Sequence, residues 1–138
     1  MKSNYDRMFS MLFKDLYVLY LNKVERKSRS KEELDTVIKW LSGYSDEDLS
    51  NILSSGITVK EFFEGFIQLN EKAGLIKGMI CGVRIEDIED TLVKRVRMLD
   101  KLVDDISKGK SLDKVIYKDW VIINRKIAVI NITAFIMI

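Results

Sequence analysis

The stretch Ile85-Glu-Asp-Ile-Glu-Asp-Thr-Leu-Val-Lys-Arg-Val-Arg-Met-Leu-Asp-Lys-Leu-Val-Asp-Asp-Ile106 decides the fold class. Ile85, Ile88, Leu92, Val96, Leu99, Val103 and Ile106 recur at steps of 3, 4, 4, 3, 4 and 3. That spacing keeps one narrow apolar stripe on a helix of about six turns. Asp90 with Lys94 and Lys101 with Asp105 are expected charge pairs on its wet side, and Lys108-Gly-Lys110 supplies cations and a stop at its end. A stripe of this kind serves the domain's own core or a helix of a second copy.

Upstream, the same periodicity continues with little punctuation, because the chain has no proline and only seven glycines. The segment from Tyr5 to Arg26 is dense in large apolar residues and reads as one buried helix. Ser30-Lys-Glu-Glu33 has the form of a capping box and opens a second helix, whose stripe is Leu34, Val37, Ile38 and Leu41, with Gly43 as a left-handed stop. Ser45 to Asp48 and Thr58-Val-Lys-Glu61 open two more short helices. From Gly74 to Gly82 the glycine spacing weakens the helical reading and favours a packed connector or short strand where backbones approach closely. The expectation is therefore an all-α domain of five or six helices over residues 6–116. An apolar extension follows over 117–138, with seven isoleucines and the form of a β-hairpin around an Asn-Arg turn.

Composition excludes several chemistries. With no histidine, a Ser-His-Asp triad, a Cys-His dyad and an H-E-x-x-H zinc site are all ruled out. The single cysteine, Cys81, cannot form an internal disulfide; in its apolar setting it reads as a small buried hydrophobe rather than a nucleophile. Neither G-x-G-x-x-G nor G-x-x-x-x-G-K occurs, so no cofactor is expected. The early charges Asp6, Lys14 and Asp15 break any signal peptide, and no apolar run has the length of a membrane span; a cytoplasmic location is expected. The net charge of +2 resides wholly in the last 22 residues.

Three residue groups could carry function. Lys23, Arg26, Lys27, Arg29 and Lys31 lie beside Tyr17 and Tyr20, a pattern suited to nucleic acid or another anion; their plainer use is to complement the C-terminal dipole of the first helix. Glu86, Asp87, Glu89 and Asp90 crowd four carboxylates next to Arg84. On a continuous helix Glu86, Glu89 and Asp90 share a face that could hold a divalent cation, although acids also collect at helix N-termini without binding any metal, and no metal site is assigned. Trp40 and Tyr44, with Phe62, Phe63 and Phe66, line a pocket or fill the core.

Leu16-Tyr17, Tyr20, Lys23, Glu25-Arg-Lys27, Trp40-Leu-Ser-Gly-Tyr44 and Leu69-Asn70, and above all Cys81-Gly-Val-Arg-Ile-Glu-Asp-Ile-Glu-Asp90 with Leu99-Asp-Lys-Leu-Val103 and Lys108-Gly-Lys110, resemble a family of small uncharacterised bacterial proteins known as domain of unknown function 2200. The resemblance runs from Phe13 to Ile116 and implies no established activity. The family pattern carries proline at Val18, glycine at Ser28 and proline at Thr91, so the helix boundaries there are expected to depart from those of relatives. The reading adopted is a non-catalytic interaction module that self-associates through the 85–106 helix or binds an unknown protein partner. The alternatives are an anion or nucleic-acid binder using the 23–31 cluster, which the neutral charge balance disfavours, and an enzyme or metal binder using Arg84 and the acids.

Overall fold

The computed structural model describes residues 4–116. Among these, seven α-helices follow in order: α1 Asn4–Ser10, α2 Phe13–Glu25, α3 Lys31–Ser42, α4 Asp46–Leu53, α5 Val59–Glu64, α6 Thr91–Ser107 and α7 Leu112–Val115. Between α5 and α6 come a 3-10 turn at Glu71–Leu75, the antiparallel two-residue strands β1 Met79–Ile80 and β2 Val83–Arg84, and a second 3-10 turn at Ile85–Asp87. The fold is mainly helical, as expected, with a small hairpin where the glycine-spaced segment interrupts the helical pattern. The hairpin expected beyond residue 116 lies outside the described residues. No described helix is long and apolar enough to cross a membrane.

Helix starts follow the local code. Ser30 with Glu33, Ser45 with Asp48 and Thr58 with Glu61 each form both hydrogen bonds of a capping box, satisfying N–H groups that a helix cannot pair internally.

Two long-helix expectations are corrected. The segment from Tyr5 to Arg26 is two helices, because the backbone at Met11 to Phe13 leaves the helix to pair with the chain before α5. Phe13 donates its N–H to the Ile57 carbonyl at 2.9 Å, and Val59 donates to Met11 at 2.8 Å. Tertiary pairing overrides helix propensity here, and it sets the Phe13 ring on Phe62 with centroids 3.6 Å apart. Likewise α6 starts at Thr91 and not at Ile85. Asp90 is its cap, accepting from the N–H groups of Leu92 and Val93 at 2.9 and 3.0 Å. The Ile85 N–H is tied back to the Gly78 carbonyl at 2.9 Å. Asp90 therefore caps rather than pairing with Lys94, whereas the Lys101–Asp105 pair forms at 3.0 Å.

The stripe that survives on α6 is spent inside the protomer. Val96, Leu99, Val103 and Ile106 are buried, and so are Met98, Leu102, Asp105 and Ser107, so the covered arc is far wider than the spacing implied. α2, α3, α5, α7 and β1 pack around this helix. From Val96 to Ile106 the stripe thus serves the domain's own core, while Ile88 and Leu92 at its start are only partly buried.

Helix C-termini are closed by left-handed residues and by remote side chains. α2 ends in a Schellman pattern: Arg29 N–H bonds the Val24 carbonyl and Ser28 N–H bonds that of Glu25, with Ser28 at φ 60°. α6 repeats it, with Lys110 on Asp105, Gly109 on Ile106, and Gly109 at φ 98°. From its place after α2, Arg29 donates through Nη1 to the carbonyls of Ile106 and Lys110 at 2.9 and 2.7 Å, and through Nε and Nη2 to the Glu33 carboxylate. At α5, the Phe62 carbonyl accepts from the Tyr44 hydroxyl and the Phe63 carbonyl from Arg95, each at 2.7 Å.

The backbone is informative at the positions where a glycine or a proline is expected from the resemblance. The Ser28 position adopts a left-handed backbone conformation that glycine takes without steric cost and serine only under strain. Thr91 is the first residue of α6, where a proline loses no hydrogen bond. The third, Val18, lies inside α2, where nothing in the structure explains a proline. The backbone predicts that Ser28→Gly raises the stability of the full chain by about 1 kcal/mol. A urea midpoint equal to or below that of the parent protein would contradict the strain assigned to this residue.

Candidate functional site

The ten residues singled out in the sequence separate into distinct neighbourhoods. Tyr17 donates to Asp35 at 2.6 Å, with the Lys31 ammonium above its ring and ion-paired to the same carboxylate. Tyr20 and Lys23 turn the other way, onto α6: the Tyr20 hydroxyl donates to Asp100 at 2.6 Å, and Lys23 pairs with Asp104 at 3.1 Å. Arg26 and Lys27 are exposed and form no ion pair among the described residues. Of the basic cluster, then, Lys23, Arg29 and Lys31 are engaged internally.

The acidic group does not assemble. Glu86 lies in a 3-10 turn, where its carboxylate accepts from the Gly78 N–H at 2.9 Å and is thereby held below the usual carboxylate range. Asp90 caps α6, Glu89 is exposed between the two elements, and Arg84 faces Asp87 at 3.9 Å in the open. The shared helical face expected of Glu86, Glu89 and Asp90 does not exist, because none of them is inside α6. No group of three or more acidic or cysteine side chains among the described residues is placed to hold a metal ion. Cys81 is exposed rather than buried. It precedes Gly82 in the two-residue hairpin loop, with φ 51° and 79° respectively, the signs of a type I′ turn.

The polar seam between α2 and α6 contains residues whose roles the sequence did not reveal. Arg97 donates to the other oxygen of Asp100 at 3.1 Å and to the Tyr5 hydroxyl at 3.1 Å, with its guanidinium over the Tyr5 ring. Burial pushes the Asp100 carboxyl up, outweighing the Tyr20 hydroxyl and Arg97. Burial and the negative Asp100 push the Tyr20 phenol well above its ordinary value. A phenol held protonated and 7% exposed is a clamp between helices, unsuited to proton transfer near neutral pH.

Trp40 belongs to a different place. The last four carbonyls of α3 are all satisfied: Lys39 by the Gly43 N–H, Trp40 by the Asn70 side-chain amide, Leu41 by the Asn70 N–H and Ser42 by the Gln68 N–H, at 2.9 to 3.2 Å. The chain from Gln68 to Asn70 can lie this close because residue 43 is glycine. At φ 77°, a side chain there would meet the Gln68 nitrogen at 3.0 Å. Beside this junction opens a cleft of about 480 Å³ lined by Lys39, Trp40, Gly43, Gln68, Asn70, Glu71 and Lys72. Lys39 is held by Asp46 at 2.6 Å, and the Asn70 side chain is used twice, on the Trp40 carbonyl and on the Lys72 N–H. Gln68, Glu71 and half-buried Lys72 have no side-chain partner among the described residues. Trp40 was legible as a candidate; the opposite wall was not, since Leu69-Asn70 stood out only through the family resemblance.

These features define a small helical domain whose helix ends are capped across the fold and whose polar cleft sits at one such junction. The chain belongs to the family described as "Uncharacterized protein conserved in bacteria (DUF2200)", which matches residues 7–117. It is also similar to a solved structure titled "Crystal structure of uncharacterized protein SP1917", at 37% identity and a TM-score of 0.80, over 85% of this chain and 96% of that one. No curated protein matches the chain.

The buried phenols set an alkaline limit. Burial, the first cause in each case, pushes Tyr17 and Tyr44 up to about 12 from an ordinary 10.0, and it pushes Tyr20 well above that ordinary value too. The folded state then retains protons that the unfolded state releases, so stability is full below about pH 10 and falls as pH rises towards 12. Urea midpoints from about pH 8 to about pH 11.5 are expected to decline above pH 10, and less steeply in Tyr20→Phe. A flat profile would show that these hydroxyls are not shielded.

Proposed function

We propose that the protein is a non-catalytic binding module whose recognition surface is the Trp40 cleft. The observation that carries this reading is the distribution of unspent polar groups. Gln68, Glu71 and Lys72 line one cleft with Trp40, whereas Tyr17, Tyr20 and Lys23 are engaged with neighbouring helices. A concave site that combines an aromatic wall with a few polar groups is the usual form of a small-molecule pocket.

The interaction role inferred from the sequence moves accordingly from α6 to the cleft. Self-association through the part of the stripe from Val96 to Ile106 would uncover Val96, Leu99, Val103 and Ile106, at about 1.5–3 kcal/mol for each side chain. Anion binding by the 23–31 cluster is left with Arg26 and Lys27, too few cations for a phosphate-tracking surface. An enzyme built on Arg84 lacks converging carboxylates.

The test uses the full chain with Trp120→Phe, which leaves Trp40 as the sole indole. A library of polar metabolites is screened by Trp40 fluorescence and by its indole N–H resonance. At least one chemical class is expected to move both signals saturably, and Gln68→Ala with Lys72→Ala to weaken it about tenfold, or ~1.4 kcal/mol, at unchanged melting temperature. Compounds that perturb the Tyr20 or Arg84 surroundings while leaving Trp40 untouched would move the recognition surface elsewhere.

A further inference from the structure

Resting on the cleft reading, we propose that its ligand is a mononucleotide: a flat hydrogen-bonding ring joined through a hydroxylated sugar to a phosphate. The cleft presents one group for each part. Trp40 supplies an aromatic wall, and stacking on tryptophan suits any planar base. Gln68 carries both a donor and an acceptor on one amide, the pairing that a base edge offers in complement. Glu71 is acceptor-only and suits sugar hydroxyls, while Lys72 is a cation that meets no carboxylate among the described residues.

The neighbouring charges sharpen the choice. Lys39, the other cation of the lining, already pairs with Asp46 at 2.6 Å, which leaves Lys72 as the lining cation that meets no carboxylate among the described residues. The C-terminal carbonyls of α3 would repel an anion if bare, but all four of the last turn accept hydrogen bonds from Gly43, Asn70 and Gln68. Half-burial of Lys72 raises the worth of an ion pair there above that of a fully solvated surface lysine. The cleft volume of about 480 Å³ lies within the span of small-ligand sites, about 300–1,000 Å³.

The experiment titrates the full chain carrying Trp120→Phe with the four common ribonucleoside monophosphates, their nucleosides and ribose 5-phosphate, following Trp40 fluorescence. Monophosphates are expected to quench saturably and to bind about tenfold more tightly than the nucleosides. Ribose 5-phosphate is expected to leave the signal unchanged. Lys72→Gln should bring nucleotide affinity down to the nucleoside level without altering nucleoside binding, and Gln68→Ala should weaken both. Equal affinity for nucleotide and nucleoside would overturn the phosphate assignment, and competition by ribose 5-phosphate at nucleotide affinity would overturn the base assignment. If nucleotides fail while other metabolites move Trp40, the ligand class is wrong and the cleft reading stands. If nothing moves Trp40, the cleft reading itself falls.

Discussion

Arg29 holds three helix ends together. Its own N–H closes α2, its side chain grips Glu33 in the capping box that opens α3, and the same guanidinium reaches the carbonyls of Ile106 and Lys110 where α6 ends. The Glu33 carboxyl is held below its ordinary range chiefly by that guanidinium. A domain assembled from short helices has many terminal N–H and C=O groups for its size, and each one buried without a partner costs about 1–3 kcal/mol. The fold is organised around meeting this requirement.

The same requirement explains where the cleft lies. The starts of α3, α4 and α5 are closed by residues three positions away, whereas the ends of α3, α5 and α6 draw on Gln68 and Asn70, on Tyr44 and Arg95, and on Arg29. When the chain from Gln68 to Asn70 crosses the end of α3, it leaves a recess on its outer side bounded by Trp40 and Lys72. The recess is thus a by-product of capping. The chain on its far side is tied to the end of α3 through the Gln68 and Asn70 N–H groups and the Asn70 amide.

What was readable in the sequence was local. Capping boxes span four residues and declare themselves, and Gly43 is a stop whose left-handed geometry the structure retains. Distant partners were hidden. In a basic run Arg29 looks like its neighbours, because nothing in the sequence says that Ile106 and Lys110 will end beside it. Met11 to Phe13 sit in a helical pattern, and only pairing with Ile57 and Val59 breaks it. Asp87 is a possible cap by type, but Asp90 caps α6, with the Gly78 tether on Ile85 and Glu86 holding the residues before it out of the helix. At Cys81 the apolar neighbours pointed to burial, whereas the following glycine was the better signal, marking a hairpin turn.

The bonds from Arg29 to Ile106 and Lys110 join positions 77 and 81 residues apart, and Tyr20 to Asp100 spans 80. Individual helices therefore cannot complete their last turns until distant parts of the chain have arrived. Loop-closure entropy is spent before these ends gain their partners, which slows folding relative to helical bundles with mostly local contacts. Unfolding is correspondingly concerted, since releasing α6 from Arg29 exposes carbonyls on one helix and a charge beside another. With no proline in the chain, no peptide-bond isomerisation adds a slow phase, and the rate reports the chain's search for these distant contacts.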